Sequence, residues 1–110
     1  MRINIQIIND RITSNERQRL RKKIEKLEKF HEGIIAALVS LKKETHYSGE
    51  HHYCEIRLVM RGNDIIGKYR SFNYENAVAG VLESLRRELR KKKTTLIRKR
   101  KRWGYSTVFS

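Results

Sequence analysis

The sequence predicts an α+β domain of order β-α-β-β-β-α, a four-stranded mixed sheet with two helices packed on one face. Three observations lead there. Ile3, Ile5 and Ile7 alternate with Arg2, Asn4 and Gln6, the period of a half-buried strand. Two apolar stripes at helical spacing follow, Leu20-Ile24-Leu27-Phe30 and Ala77-Val81-Leu85-Leu89. Between them lie three runs of period two, separated by glycine-bearing turns. At 110 residues the chain suits one domain with a modest core.

The first strand ends at Asn9-Asp10. Thr13-Ser14-Asn15-Glu16 then fits a capping box, in which the Thr13 hydroxyl and the Glu16 carboxylate satisfy free amides at a helix start. That helix carries Arg19, Lys22, Lys26 and Lys29 away from its apolar stripe, with Glu25, Glu28 and Glu32 partly balancing them. Gly33 stands where a left-handed residue closes a helix. Residues 35–41 are largely apolar on both parities, which predicts a central strand. His46-Tyr47-Ser48-Gly49-Glu50-His51-His52 reads as a hairpin loop. Cys54, Ile56, Leu58 and Met60 make the inward side of a third strand. Arg61-Gly62-Asn63-Asp64 is a tight turn, and Ile66 to Phe72 a fourth strand. Asn73 caps the last helix and Glu75 suits its positive end.

The crossover through the first helix makes strands one and two parallel. Strands two to four form an antiparallel meander. Both helices cover the same sheet face, because only one face of the third strand is consistently apolar.

Charge narrows the function. Lys and Arg number 26 against 12 Asp and Glu, a formal net charge of +14. Residues 86–102 alone hold eleven Lys or Arg and one acid, Glu88. Such asymmetry points to a polyanion, nucleic acid before an anionic membrane. Arg86–Arg90, Arg87–Lys91 and Arg98–Arg102 are like-charge pairs four apart, each unfavourable by roughly 0.2–0.5 kcal/mol in a helix. Laid against phosphates, the same residues become contacts, and counterion release favours binding. Lys22, Lys23, Lys26 and Lys29 are the matching candidates on the first helix. The single cysteine, Cys54, excludes an internal disulfide framework. Neither a signal peptide nor an apolar run of about 18 residues is present, so a cytoplasmic protein without a membrane partner is expected.

The string LRKKIEKLEKFHEGIIAALVSL, a strand meander, and then NYENAVAGVLESLRRELRKKK resembles the ribosome hibernation-promoting factor family, which includes the ribosome-associated inhibitor proteins. Lys23-Ile24-Glu25-Lys26-Leu27 matches the motif that ends the family's first helix. Ala77, Val78, Leu85, Arg87, Leu89 and Lys91 occupy the places of its last-helix pattern. Ser84 and Glu88 depart from it, standing where the family usually has a basic residue and Gln. Tyr74 falls one position before the usual tyrosine. The resemblance covers residues 1–95. It implies a domain that binds the small ribosomal subunit in the channel of mRNA and tRNA anticodon arms, inactivates idle ribosomes, and has no enzymatic activity, cofactor or small-molecule substrate. Its contacts with rRNA phosphates would come from Lys22, Lys23, Lys26, Lys29, Arg86, Arg87, Arg90, Lys91, Lys92 and Lys93. Arg98, Lys99 and Arg100 extend the set into residues 96–110, a basic and aromatic extension ending in Trp103, Tyr105 and Phe109. At this length the chain corresponds to the family's short forms, without a dimerisation domain, and a monomer is expected.

Other readings are weaker. A stand-alone double-stranded RNA-binding module has the order α-β-β-β-α and lacks the first strand. His46, His51, His52 and Cys54 suggest zinc by residue type, but their spacing is irregular and no second cysteine completes a tetrahedral set. Glu44 and Glu50 near His46 form the best nuclease-like cluster, without a catalytic pattern.

Overall fold

The structure, a computed structural model, describes residues 1–109, with side chains described for residues 1–92. Its elements are β1 (Arg2–Ile8), α1 (Ser14–Glu25) followed by a 3₁₀ turn (Lys26–Lys29), β2 (Ile34–His46), β3 (Gly49–Met60), β4 (Ile65–Ser71) and α2 (Tyr74–Phe109). The sheet order is β1-β2-β3-β4. β1 runs parallel to β2, from Arg2 opposite Ala36 to Ile8 opposite Lys42. The β2–β3 and β3–β4 pairings are antiparallel. The expected order, mixed sheet and single helical face are all present, and the paired β1 removes the α-β-β-β-α alternative.

One core joins the layers. Leu20, Ile24 and Leu27 from the first helical segment meet Ala37, Val39, Leu41, Cys54, Ile56 and Leu58 of the sheet, and Ala77, Val81, Leu85 and Leu89 of α2. The α2 stripe is at most 1% exposed along its length. The helix approaches β4 closely because each contributes a glycine to the contact, Gly67 from the strand and Gly80 from the helix. A Cβ at Gly67 would meet Leu85 and Val81 at 3.2–3.3 Å, and one at Gly80 would stand 2.6 Å from the Tyr69 ring.

Several local expectations are corrected. α1 ends at Glu25, and the stripe continues to Leu27 and Phe30 through the tighter 3₁₀ turn. Gly33 is not a left-handed cap; the positive φ angles belong to Asn9, Gly49 and Gly62. Its amide donates instead to Nδ1 of His31 at 2.8 Å, and its carbonyl accepts from the Arg61 amide. The seven-residue loop at 46–52 is mostly strand, since His46 pairs with Gly49 and leaves only Tyr47 and Ser48 in the turn. A bulge between Ile34 and Ala36 turns Ile35 outward, where it is 51% exposed. The outward parity of β2 is open, with Leu38 42% exposed.

The helix starts form as their caps dictate. The Thr13 hydroxyl accepts from the Glu16 amide at 3.1 Å. The Glu16 carboxylate accepts from that same hydroxyl at 3.2 Å, so the reciprocal half of the capping box is replaced by a side-chain contact. At α2 the Asn73 side-chain oxygen accepts from the Glu75 amide at 2.7 Å.

Candidate nucleic-acid interface

The two helical segments lie side by side on the sheet and leave a groove between their solvent faces. Leu27, Phe30, Ala79 and Leu82 form its apolar floor. Lys23 and Lys26 rise from one wall and Arg86 from the other, around a space of about 270 Å³. Arg86 is fixed by its own helix, its Nε donating to the Leu82 carbonyl at 3.3 Å. One turn on, Arg90 lays its guanidinium over the Phe30 ring, 5.2 Å from the centroid. The groove continues toward the helix starts between Glu16, Arg19, Lys23, Tyr74 and Glu75. Burial there pushes the Tyr74 phenol up to about 12, so it is a neutral hydrogen-bonding group.

The lysines of the first wall are less compensated than their sequence suggests. Lys22, Lys23, Lys26 and Lys29 are exposed and make no ion pair among the described residues. Of the acids among them, Glu28 pairs instead with the chain's amino terminus at 3.1 Å. On α2 the pattern is reversed. Arg87 pairs with Glu83 at 3.3 Å and Lys91 with Glu88 at 3.6 Å, so compensation comes from Glu83 as well as Glu88. Both pairs are exposed, worth about 0–1 kcal/mol, and readily exchanged for phosphate.

Lys92 departs from the expected set. It continues the inward stripe where α2 has outrun the sheet, and its Nζ donates to the Asn63 carbonyl in the β3–β4 turn. The structure thus gathers Lys23, Lys26, Arg86 and Arg90 at one groove and leaves Lys22, Lys29, Arg87 and Lys91 exposed beside it. The side chains of Lys93, Arg98, Lys99 and Arg100 lie outside the described residues. Arg19, outside the expected RNA-binding set, lines the same wall four residues before Lys23.

Among the described residues no group of three or more His, Cys, Asp or Glu is placed to hold an ion. His46 Nε2 lies 3.1 Å from Glu44 and 3.2 Å from the Tyr53 hydroxyl. His51 is buried against Phe72 and His46, with Nε2 2.9 Å from the Ser48 hydroxyl. Burial raises the Cys54 thiol to about 12, which leaves it unreactive.

A sequence profile described as "Sigma 54 modulation protein / S30EA ribosomal protein" matches residues 3–97. The chain belongs to this family. The family bears out the resemblance carried by the two helices. Comparison with curated proteins returns no match. Among solved structures, the N-terminal domain of Thermus thermophilus Protein Y superposes with a TM-score of 0.69 at 21% identity, covering 83% of this chain and 98% of that one. A ribosomal subunit interface protein from Coxiella burnetii gives a TM-score of 0.75 at 16% identity, covering 86% and 99%. These two likenesses are of fold. Of the described residues, no helix is long and apolar enough to cross a membrane.

Proposed function

We propose that this protein binds the small ribosomal subunit in the channel of mRNA and tRNA anticodon arms and holds idle ribosomes inactive, without a catalytic step. The observation that carries the reading is the groove where Lys23, Lys26, Arg86 and Arg90 converge over an apolar floor. Two rigid helices set the spacing of cations, which suits the regular phosphate spacing of folded RNA read by shape. Family membership and the Coxiella burnetii neighbour's role at a subunit interface support it. Lys22, Lys29, Arg87 and Lys91 add phosphate contacts beside the groove. Lys93, Arg98, Lys99 and Arg100 extend the charge into residues 96–110, beyond a binding domain of residues 1–95. The protein acts as a cytoplasmic monomer.

Sedimentation of cell lysate through sucrose at low salt tests this. The protein is expected with the small subunit or whole ribosomes, and recovery only in ribosome-free fractions would refute the reading. The double variant Lys26→Glu/Arg86→Glu should release it. Removing one cation that neutralises a phosphate lowers the slope of log affinity against log salt by about one.

A further inference from the structure

The sheet has a second face, opposite the helices, on which no described element packs. Residues paired across strands point the same way, so its side chains form rows. Lys42, Tyr53 and Arg70 make one row across β2, β3 and β4. Ser40, Glu55 and Lys68 make the next. Together they line a broad shallow depression of about 540 Å³.

In the first row Tyr53 stands between two cationic residues, its Cβ about 5 Å from that of each cross-strand partner. Tyr53 is fixed by its hydroxyl, 3.2 Å from His46 Nε2. Lys42 is steadied by Glu44 at 2.6 Å, and Lys68 lies 3.9 Å from Glu55. Arg70 is exposed and makes no ion pair among the described residues.

We propose that this face is a second RNA site, which takes an unpaired stretch of RNA with a base stacked on Tyr53 and its phosphates on Arg70 and Lys42. The inference rests on the reading that the partner is RNA, and adds a contact on the side away from the helices. An aromatic face beside cations fits a nucleotide, since every base offers a π-face and every linkage a charge. Glu44 and Glu55 would repel the dense backbone of a duplex. A carboxylate is tolerated beside single strands, and Glu55 can accept from an exocyclic amino group such as that of cytosine. An open sheet with Tyr53 in a middle strand suits splayed bases better than paired ones.

The test uses the full chain and a fluorescein-labelled ten-nucleotide oligocytidylate, read by anisotropy. Tyr53→Ala should weaken binding about tenfold, and Tyr53→Phe, which keeps the ring but loses the hydroxyl contact with His46, should weaken it much less. Arg70→Ala should weaken binding and lower the salt slope by about one. Unchanged affinity in Tyr53→Ala and Arg70→Ala would overturn the proposal. Should Tyr53→Ala fail to fold, ultraviolet crosslinking of the unmodified protein decides. Crosslinks between residues 53 and 70 support the site, and crosslinks confined to α1 or α2 refute it. A dimer that Arg70→Ala dissociates would assign the face to a second copy and also refute it. If these variants bind oligocytidylate normally while Lys26→Glu/Arg86→Glu releases the ribosome, this inference falls and the ribosome reading stands. If crosslinks map to residues 53–70 in a protein that sediments free of ribosomes, the ribosome reading falls and this inference stands.

Discussion

The Arg90 guanidinium carbon stands 5.2 Å from the centre of the Phe30 ring. The contact joins α2 to the 3₁₀ turn after α1 and fixes a cation at the end of the groove. Arg90→Lys keeps the charge but loses the planar stack, so the salt slope should hold while ribosome affinity falls several-fold. Phe30→Ala removes both stack and floor, and should cost about 1–2 kcal/mol of stability in urea unfolding.

Gly80 is expected to resist the substitution that helix propensity favours. Alanine in a helix interior is better than glycine by about 1 kcal/mol, yet its Cβ would lie 2.6 Å from the Tyr69 ring. Gly80→Ala should therefore destabilise the protein. The same change in a Tyr69→Ala background should stabilise it, and a double-mutant cycle by thermal unfolding measures the difference.

His51 makes stability depend on pH. Its burial, and then the repulsion of His46 and Arg70, lower its pKa from the ordinary 6.5, against a smaller opposing pull from Glu44. The unfolded chain therefore binds the proton more readily than the folded one. The stabilising contribution is complete above about pH 6.5 and is lost as pH falls below it. The urea midpoint should drop between pH 7.5 and pH 5, and His51→Phe should flatten that drop.

At the start of α1 the two members of the cap should behave unequally. Thr13→Ala removes the acceptor for the Glu16 amide and should cost about 1 kcal/mol. Glu16→Gln should cost less, because the Glu16 carboxylate contacts the Thr13 hydroxyl and not a backbone amide. Chemical denaturation of both variants checks the order.

Element order and helical face were legible because Ile3-Ile5-Ile7 and Cys54-Ile56-Leu58-Met60 keep a strict period of two, and Ala77-Val81-Leu85-Leu89 a helical one. The 46–52 segment misled because His, Ser and Gly mark a loop by composition, while the ladder from Thr45–Glu50 to Lys43–His52 depends on long-range pairing. Gly33 misled because a cap position and a close backbone contact select the same residue. The basic candidates on both helices were visible as charge, but their compensation was not. Glu28 is drawn off by the amino terminus, and Lys92 by the Asn63 carbonyl, through contacts between residues far apart in sequence.

The parallel pairing of β1 with β2 also fixes an order of events during synthesis. Arg2 meets Ala36 and Ile8 meets Lys42, so β1 cannot pair along its whole length until residue 42 has been made. Until then Ile3, Ile5 and Ile7 wait without partners. The β2–β3–β4 meander closes through short turns and can form quickly, whereas β1 must close a long loop across α1. A ribosome making this chain thus holds an unpaired apolar strand for the time needed to add about thirty residues, on the order of seconds.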